Sequence, residues 1–390
     1  MVTVILFLGA TQGLFLTLLL LTKPDNQKAN RMLAFLIISY SAFIVETSVS
    51  ETDLAQQFPH ILGLMAGVVF LIGPLHYLYA LTLTHFKAPL FGKRLLHFIP
   101  MVVFYLYYLF PFYLKSGAEK IAFMQSIDQN GPTLALTFFN WAVLCQGLIY
   151  MSVTFRLLQV HSETIKNTFS TVEKINLRWL KIITSLTLAI WILGVVIEFL
   201  QIFDLKSSVQ AIIPVSITIL IYVMGYLGLR QPEIFSSLTE VPEETMADET
   251  ESLLEMPVQE TAFDDIKKYE RSGLTKEKAQ SLHEKLIHLM ETQKPFTDST
   301  LKLNHLAQKV STTPNYLSQV INEERQQNFY DFVNWYRIEE AKKMIQDPSQ
   351  KAATLLSIAY EVGFNSKSAF NTAFKKHAGM TPSQFRKEAT

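Results

Sequence analysis

The sequence predicts an all-α protein that combines a seven-helix transmembrane bundle with a C-terminal helical domain containing two helix-turn-helix motifs. Three observations support this fold class. Apolar runs of roughly twenty residues recur before residue 230. The last part of the chain instead alternates short amphipathic segments with turn residues. Between the two parts, residues 231–262 contain nine acidic side chains and no basic one.

The chain has no net charge, but its parts differ in charge. Residues 1–230 hold 15 Lys and Arg against 10 Asp and Glu, and residues 263–390 hold 19 against 15. The neutral total therefore gives no information about partners. A mean hydropathy of +0.21 and 28 phenylalanines are too apolar for a soluble protein of this length, so the composition favours a membrane protein.

Seven apolar runs make up the predicted membrane domain, residues 1–230. They lie near 2–21, 32–49, 62–83, 98–114, 134–155, 182–202 and 209–229. Each is close to the roughly twenty residues that cross a hydrocarbon core of about 30 Å. The first run is followed by basic residues and not preceded by them, so we interpret it as an uncleaved span and not as a signal peptide.

The charges of the connecting loops predict an orientation. The loops after the first, third and fifth runs contain Lys23, Lys28, Arg31, Lys87, Lys93, Arg94, Arg156, Lys166, Lys174, Arg178 and Lys181. The opposite loops contain only Lys115, Lys120 and Lys206. Because basic loops stay on the cytoplasmic side, we expect the N-terminus outside and the C-terminal domain in the cytoplasm.

Three ionisable side chains fall within the apolar runs. Glu46 lies in the second run, His76 in the third and Glu198 in the sixth. Charge is costly there, so these residues are candidates for a membrane ligand site or a proton site. The alternative is that each is neutral, or close to an interface, and hydrogen-bonded to its neighbours. The sequence does not show whether the three side chains converge.

The sequence predicts no cofactor, no metal site and no enzymatic activity. It has one cysteine, Cys145, so a disulfide or a cysteine-based metal site within one chain is excluded. The seventh run has no lysine for a retinal Schiff base, and we find no second histidine at a depth matching His76 for a haem. Zinc-protease and phosphate-binding glycine motifs are also missing.

The region between the membrane domain and the C-terminal domain has two predicted parts. Residues 231–262 are acidic and interrupted by prolines, which predicts a disordered linker spanning roughly 30 Å. This linker is either a spacer or an autoinhibitory strip. Residues 263–295 contain a connecting helix with one apolar face, formed by Ala279, Leu282, Leu286, Leu289 and Met290. That face packs on the following domain or pairs with its copy in a homodimer.

The first predicted helix-turn-helix motif covers residues 303–324. Thr313 can cap its second helix, with Pro314 at the first helical position. The helical period places five apolar residues inward: Leu306, Val310, Leu317, Val320 and Ile321. It leaves four polar residues outside: Asn315, Ser318, Gln319 and Asn322.

The second predicted motif, residues 355–387, follows a joining helix at 329–346. Thr354 and Ser366 can cap its helices, and Gly363 can end the first of them in a left-handed conformation. Its inward residues are Ile358, Val362, Phe370, Ala373 and Phe374. The opposite face carries Lys367, Ser368, Asn371, Thr372 and Lys375. A cationic, hydrogen-bonding face of this kind suits a helix in the major groove of DNA.

Residues 296–390 resemble the DNA-binding domain of the AraC family of bacterial transcription regulators. The matching motifs are LAQKV, YLSQVIN, YRIEEAKKMI, IAYEVGFNSKSAF and FKKHAGMTPSQFR. The resemblance implies two recognition helices in successive major-groove segments of one DNA face, roughly 34 Å apart. It implies base contacts by Asn315, Ser318, Gln319, Lys367, Ser368 and Thr372. Phosphate contacts are implied for Thr313, Asn365 and Lys375.

The first motif departs from the family pattern. Many members end the first recognition helix with a phenylalanine, a basic residue and a glycine, whereas this chain has Ile321 and Asn322 followed by EERQQN. Glu323 and Glu324 would repel DNA if they faced it. The departure affects the expected strength of the first motif and not its position.

These predictions combine into a one-component regulator in the bacterial inner membrane that couples a membrane signal to promoter binding. Its expected partners are double-stranded DNA, membrane lipid, a second copy of the chain, RNA polymerase and an unidentified small molecule or membrane signal. One alternative is a transporter or membrane enzyme with a DNA-binding regulatory tail. Another is a plain anchor that releases the DNA-binding domain by proteolysis.

Overall fold

The computed structural model describes residues 2–24, 26–50, 52, 54–85, 92–173, 175–202, 211–229 and 275–389. The predicted linker at 231–262 lies outside these residues. The described part of the chain is helical, with one isolated antiparallel bridge between Phe169 and Lys302, and this confirms the all-α fold class. It forms two compact units. The first contains the described parts of 1–160 and 177–241, and the second those of 161–176 and 242–390.

Within the described residues, seven helical segments are long and apolar enough to cross a membrane, as predicted. They are Val2–Thr22, Gln27–Ser50, Pro59–Thr84, Lys93–Tyr113, Leu134–Thr168, Arg178–Leu200 and Ile212–Leu229. The α-helices of this part are α1 Val2–Thr22, α2 Gln27–Ser50, α3 Leu54–Gln57, α4 Val69–Thr84, α5 Ile99–Tyr108, α6 Gly117–Asn130, α7 Leu134–Thr168, α8 Arg178–Ile202 and α9 Ile212–Leu229. The fifth run differs most from its prediction, because α7 continues well beyond residue 155 and has 35 residues.

The fourth apolar segment is not one regular helix. It begins with the 3₁₀ segment Lys93–Phe98, continues as α5 and closes with the π-turn Leu109–Tyr113. Pro111 explains the closing turn, since a proline inside a helix has no N–H to donate. The N–H of Leu114 instead donates to the carbonyl of Leu109, five residues back, at 2.9 Å.

Helices α1 and α2 of the first unit pack at close range. A Cβ atom on Gly13 would collide with the hydroxyl of Ser41, so the glycine permits this approach. The outer surface of the unit carries large exposed apolar side chains, among them Leu134 at 91%, Phe110 at 72% and Phe138 at 67% exposure. Apolar surface of this extent is unfavourable in water and is suited to lipid.

The second unit contains the C-terminal helices. They are α10 Lys276–Thr292, α11 Leu303–Lys309, α12 Pro314–Arg325, α13 Phe329–Gln346, α14 Leu355–Glu361, α15 Lys367–Ala378 and α16 Pro382–Ala389. Helix caps define these boundaries. The hydroxyls of Thr313, Thr354 and Ser366 each accept a hydrogen bond from the backbone N–H three residues ahead, as the sequence predicts.

Two hydrophobic cores share the long helix α13. Its first half contributes Phe329, Phe332 and Val333 to the core of the first motif. Its second half contributes Ile338 and Ala341 to the core of the second motif. All ten predicted inward residues of the two motifs are buried. Helix α10 belongs to the first core through the apolar face predicted for it, so this helix docks on the domain.

Candidate nucleic-acid interface

Helix α12 presents part of the polar face predicted for the first motif. Asn315 is exposed, and Ser318 and Asn322 are half-buried. Thr313 is exposed as well, but its hydroxyl caps α12 by accepting a hydrogen bond from the N–H of Tyr316 at 3.4 Å. The accessible polar groups of this motif therefore centre on the first turns of the helix.

Gln319 does not lie on this exposed face, and the prediction that it points outward is wrong. Its side chain is only 7% exposed, and its amide N–H donates to the carboxylate of Glu323 at 2.9 Å. Helix α12 packs against α10, α11 and α13, so its buried side is wider than the single stripe that a two-helix motif requires. Gln319 lies on that wider buried side, next to the buried Val320 in the sequence.

Helix α15 and the turn before it present the face predicted for the second motif. The structure exposes all six predicted residues: Asn365, Lys367, Ser368, Asn371, Thr372 and Lys375. Ser366 caps the helix with a 3.1 Å hydrogen bond from the N–H of Ala369. The free N–H groups at the start of α15 and the side chain of Lys367 thus lie at the same end of the helix. Both favour a negatively charged phosphate group.

Charge differs between the C-terminal ends of the two helices. Helix α15 ends with Lys375, Lys376 and His377, and the ammonium group of Lys376 also binds the carboxylate of Asp331 in α13 at 2.6 Å. Helix α12 instead carries the exposed Glu323 and Glu324 near its end. The second motif is therefore the more favourable of the two for a polyanion.

Arg337, in the middle of α13, is a buried cation to which sequence analysis assigned no role. It is 1% exposed, and its guanidinium donates to the carbonyls of Phe296 at 2.7 Å and Asp298 at 2.9 Å. Burial lowers its pKa to about 10, although nearby negative charge, led by Glu173, opposes that shift. The group is still charged at neutral pH.

The position of Arg337 in the sequence does indicate that its side chain is buried. The residue stands four positions after Val333 and four before Ala341, so it occupies the inward stripe of α13. A charged side chain in a stripe of buried residues must find hydrogen-bond partners. Apart from Asn334, those partners lie at least 39 positions away in the chain, and the helical pattern does not identify them.

The three polar candidates in the apolar helices have separate surroundings. The Glu46 carboxylate accepts hydrogen bonds from the N–H groups of Gly63 at 2.7 Å and Met65 at 3.0 Å. The Nε2 atom of the fully buried His76 is 3.0 Å from the hydroxyl of Thr184. Glu198 is half-buried in α8. The hydrogen bonds of Glu46 and His76 therefore lead to different partners and do not join them in one site.

The first unit also contains an apolar cavity of about 840 Å³. It is lined by residues of α1, α2 and α4, by Met65 and Val68 just before α4, and by Leu95 and Phe98. Its lining includes the hydroxyl-bearing residues Thr11, Ser39 and Ser41. A cavity of this size and character fits an apolar small molecule.

Comparison with known proteins places the C-terminal part of the chain. Residues 306–388 match a family model described as a helix-turn-helix domain. The Msm operon regulatory protein of Streptococcus mutans is 29% identical over 90 residues, which are 23% of this chain and 31% of that protein. The melibiose operon regulatory protein of Escherichia coli is 30% identical over 90 residues, 23% of this chain and 29% of that protein. A Proteus vulgaris protein named "Probable transcription factor PqrA" is 28% identical over 112 residues, 29% of this chain and 88% of that protein.

The chain thus spans about a third of the length of the two operon regulators that it matches. Two helix-turn-helix motifs on one shared helix define a class, the DNA-binding domains of transcription regulators. The C-terminal part of the chain is an AraC-type helix-turn-helix domain. This agrees with the resemblance of the sequence motifs. Two of these proteins are named as operon regulatory proteins and the third as a probable transcription factor, and the matched residues cover less than a third of this chain.

Proposed function

We propose that this protein is a membrane-bound transcription regulator that binds specific promoter sequences in response to a signal received by its membrane part. One observation carries the proposal. A single chain combines seven apolar helices with two helix-turn-helix motifs whose polar faces are accessible. No second activity is needed to explain either part.

DNA binding is supported by the exposed faces of α12 and α15. Asn315 and Ser318 on the first helix, and Lys367, Ser368 and Thr372 on the second, are proposed base contacts. Asn322 and Asn371 lie on the same faces as further polar groups. Thr313, Asn365 and Lys375 are proposed phosphate contacts. Gln319 is not a proposed base contact, because its side chain is buried.

Membrane insertion is supported by the exposed apolar surface of the first unit and by the loop charges. The basic loops after the first, third and fifth apolar segments favour an orientation with the C-terminal domain on the cytoplasmic side of the bacterial inner membrane. DNA is on that side. The proposed location and the proposed function are therefore consistent with each other.

Signal reception is assigned to the bundle itself. Its cavity between α1, α2 and α4 is lined almost entirely by apolar side chains, which favours a membrane-soluble ligand. Ligand binding would change promoter occupancy only if it favoured one arrangement of the bundle over another. Glu46, His76 and Glu198 are kept as proposed polar sites for a ligand or a proton.

The function is tested by DNA crosslinking and sequencing in cells. The wild-type chain is compared with the double variant Asn315→Ala and Lys367→Ala. Phosphate contacts supply much of the affinity and base contacts the specificity, so the double variant should lose discrete sites more than background binding. Lys285→Ala is the matched control, because it removes an exposed lysine from α10 and should retain the discrete sites.

Two results would contradict the proposal. If the wild-type chain binds no discrete DNA sites under several growth conditions, the regulator function is contradicted. A transporter or a membrane enzyme is then favoured. A soluble C-terminal fragment of about a third of the chain, detected by immunoblot, would instead indicate a plain anchor released by proteolysis.

A further inference from the structure

The second unit includes a short segment made of the last residues of α7 and the start of the loop that leads to α8. Residues 161–176 cluster with the C-terminal domain although they lie more than a hundred positions before it in the chain. Within this stretch, Phe169 pairs with Lys302 in an antiparallel bridge. We call residues 169–171 the clasp, and residues 299–302, which lead into α11, the docking strand.

The clasp binds the docking strand through main-chain and side-chain hydrogen bonds. The N–H of Ser170 donates to the carbonyl of Leu301 at 3.2 Å, and its hydroxyl donates to the same carbonyl at 2.7 Å. The hydroxyl of Thr171 donates to the carbonyl of Ser299 at 2.8 Å. The ammonium group of Lys302 lies 5.7 Å from the centre of the Phe169 ring, which adds a cation–π contact.

The clasp also completes the hydrogen bonding of Arg337. A guanidinium has five N–H donors. Three of them bind Phe296, Asp298 and Asn334. The other two bind Ser170, one to its carbonyl at 3.0 Å and one to its hydroxyl at 3.2 Å. Without the clasp, two donors of a buried cation would lose their partners, which is costly.

Apolar burial accompanies these bonds. Phe169, Val172 and Ile175 are each less than a tenth exposed, and Ser170 is 1% exposed. The stretch is also folded on itself, since the N–H groups of Ile175 and Asn176 both donate to the carbonyl of Val172. The contact is therefore a packed interface and not a chance approach of two loops.

The clasp meets the domain where its two motifs join. The guanidinium of Arg337 lies 5.5 Å from the centre of the Phe364 ring, which belongs to the second core. Two of its hydrogen-bond partners, Phe296 and Asp298, precede the first motif. A Cβ atom on Gly363, beside Phe364, would lie 2.6 Å from the Phe296 carbonyl. A change in the clasp would therefore act on the contact between the two motifs.

We propose that the docking strand and Arg337 form an interaction surface for the clasp, through which the membrane helices on either side of that loop control DNA binding. This proposal rests on the proposed function. Helix α7 leads into the clasp and α8 follows it, so the chain connects any movement of these helices to the contact. By thermodynamic linkage, DNA binding would in turn strengthen the clasp.

The engaged clasp favours DNA binding and does not block it. With the clasp in place, Asn315, Lys367, Ser368 and Thr372 are all exposed, so the clasp does not cover the recognition helices. It stabilises Arg337 and hence the arrangement of the two motifs. Release of the clasp is therefore expected to weaken DNA binding.

The contact itself is tested by a disulfide. Directly opposed residues of an antiparallel pair have Cα atoms roughly 4.5–5.5 Å apart, within the range that a disulfide bridges. Phe169→Cys and Lys302→Cys are introduced into the full chain with Cys145→Ser, and a protease site is inserted in the stretch 231–262. After oxidation and cleavage, the two fragments should run as one band until they are reduced. Phe169→Cys with Lys351→Cys, at an exposed position, is the control pair and should give two bands.

The regulatory role is tested with variants at Thr171 in the full chain, reconstituted in lipid nanodiscs. Thr171→Val keeps the shape of the side chain but removes its hydroxyl, whereas Thr171→Ser keeps the hydroxyl. The DNA probe is the strongest site recovered by crosslinking. We expect Thr171→Val to weaken DNA binding roughly five-fold or more and Thr171→Ser to bind as the wild type does. Thr168→Val, which removes a hydroxyl that donates to the Thr164 carbonyl of its own helix, should have no effect.

The outcomes separate this proposal from the proposed function. Unchanged or tighter DNA binding by Thr171→Val would overturn the regulatory role, and failure of the disulfide to form would overturn the contact. In both cases a wild-type chain that binds discrete sites would still support the proposed function. If the disulfide forms but the wild-type chain binds no discrete DNA sites, the contact between the clasp and the docking strand is supported and the proposed regulator function is contradicted.

Discussion

At the residue scale, Gly363 and Gly379 form a matched pair. Both adopt left-handed backbone conformations, with φ of +99° and +77°. A side chain in that region costs roughly 1–2 kcal/mol, but the surroundings of the two glycines differ. A Cβ on Gly363 would approach the backbone oxygens of Phe296 and Thr297 at 2.6 and 2.8 Å, whereas a Cβ on Gly379 would meet nothing within 4 Å.

We therefore expect Gly379→Ala to lower the free energy of unfolding of the domain by roughly 1–2 kcal/mol and Gly363→Ala to lower it by more. Hydrogen exchange of the α14 and α15 amides in the full chain measures both values. Equal losses in the two variants would show that the backbone near Phe296 moves aside without cost.

Two residues of the candidate interface show what local sequence patterns cannot supply. Gln319 is polar and stands on a helix with an apolar period, so the pattern places it outward. It is buried, on a helix that packs against the three helices α10, α11 and α13. Arg337 is charged and stands on an inward stripe, and two of its hydrogen bonds go to Ser170, 167 positions away. Contacts at such separation leave no periodic signal.

At the element scale, the end of α15 predicts a dependence of stability on pH. His377 is partly buried there, and burial together with Lys376 lowers its pKa below 6.5. The unfolded chain then takes up a proton at a higher pH than the folded domain. The free energy of unfolding consequently falls as the pH drops through the ordinary histidine range, and the loss is complete below the folded-state pKa.

His377→Gln should reduce this loss, because its side chain does not titrate. The measurement is hydrogen exchange of α15 amides in the full chain, corrected for intrinsic rates, between about pH 7.5 and about pH 5. His288→Gln, at an exposed position on α10, is the matched control. The same pH dependence in His377→Gln and in the wild type would assign the effect to another group.

Most elements of the fold could be predicted from the sequence because their signals are local. Caps at Thr313, Thr354 and Ser366 and the apolar period of α11 to α15 depend on residues within a few positions of one another. The seven apolar helices follow from length and hydropathy alone. The docking of the segment that follows α7 could not be predicted, since it depends on hydrogen bonds to residues more than a hundred positions away.

At the scale of the whole molecule, the proposed orientation predicts which loops an external reagent can reach. In a Cys145→Ser background, Gln129→Cys lies between the fourth and fifth apolar segments and Glu163→Cys near the end of α7, both at exposed positions. A membrane-impermeant maleimide should label Gln129→Cys in intact cells. It should label Glu163→Cys only after permeabilisation, because that residue lies on the side of the basic loops.

Neither substitution removes a basic residue, so the loop charges that set the orientation are preserved. The wild-type chain in intact cells and the Cys145→Ser chain after permeabilisation give the background signals. Labelling of Glu163→Cys in intact cells would indicate the opposite orientation, in which the C-terminal domain lies on the side of the membrane that has no DNA.

Because the two cores share α13, this helix fixes the distance between the two motifs and the rotation of one motif relative to the other. Its 18 residues span roughly 27 Å, and its two halves are locked into separate cores. One residue inserted between the halves would turn the second recognition helix by about 100° about the axis of α13 and advance it by about 1.5 Å. The separation of the two DNA segments that the domain can read at once is therefore determined by the number of residues in one helix.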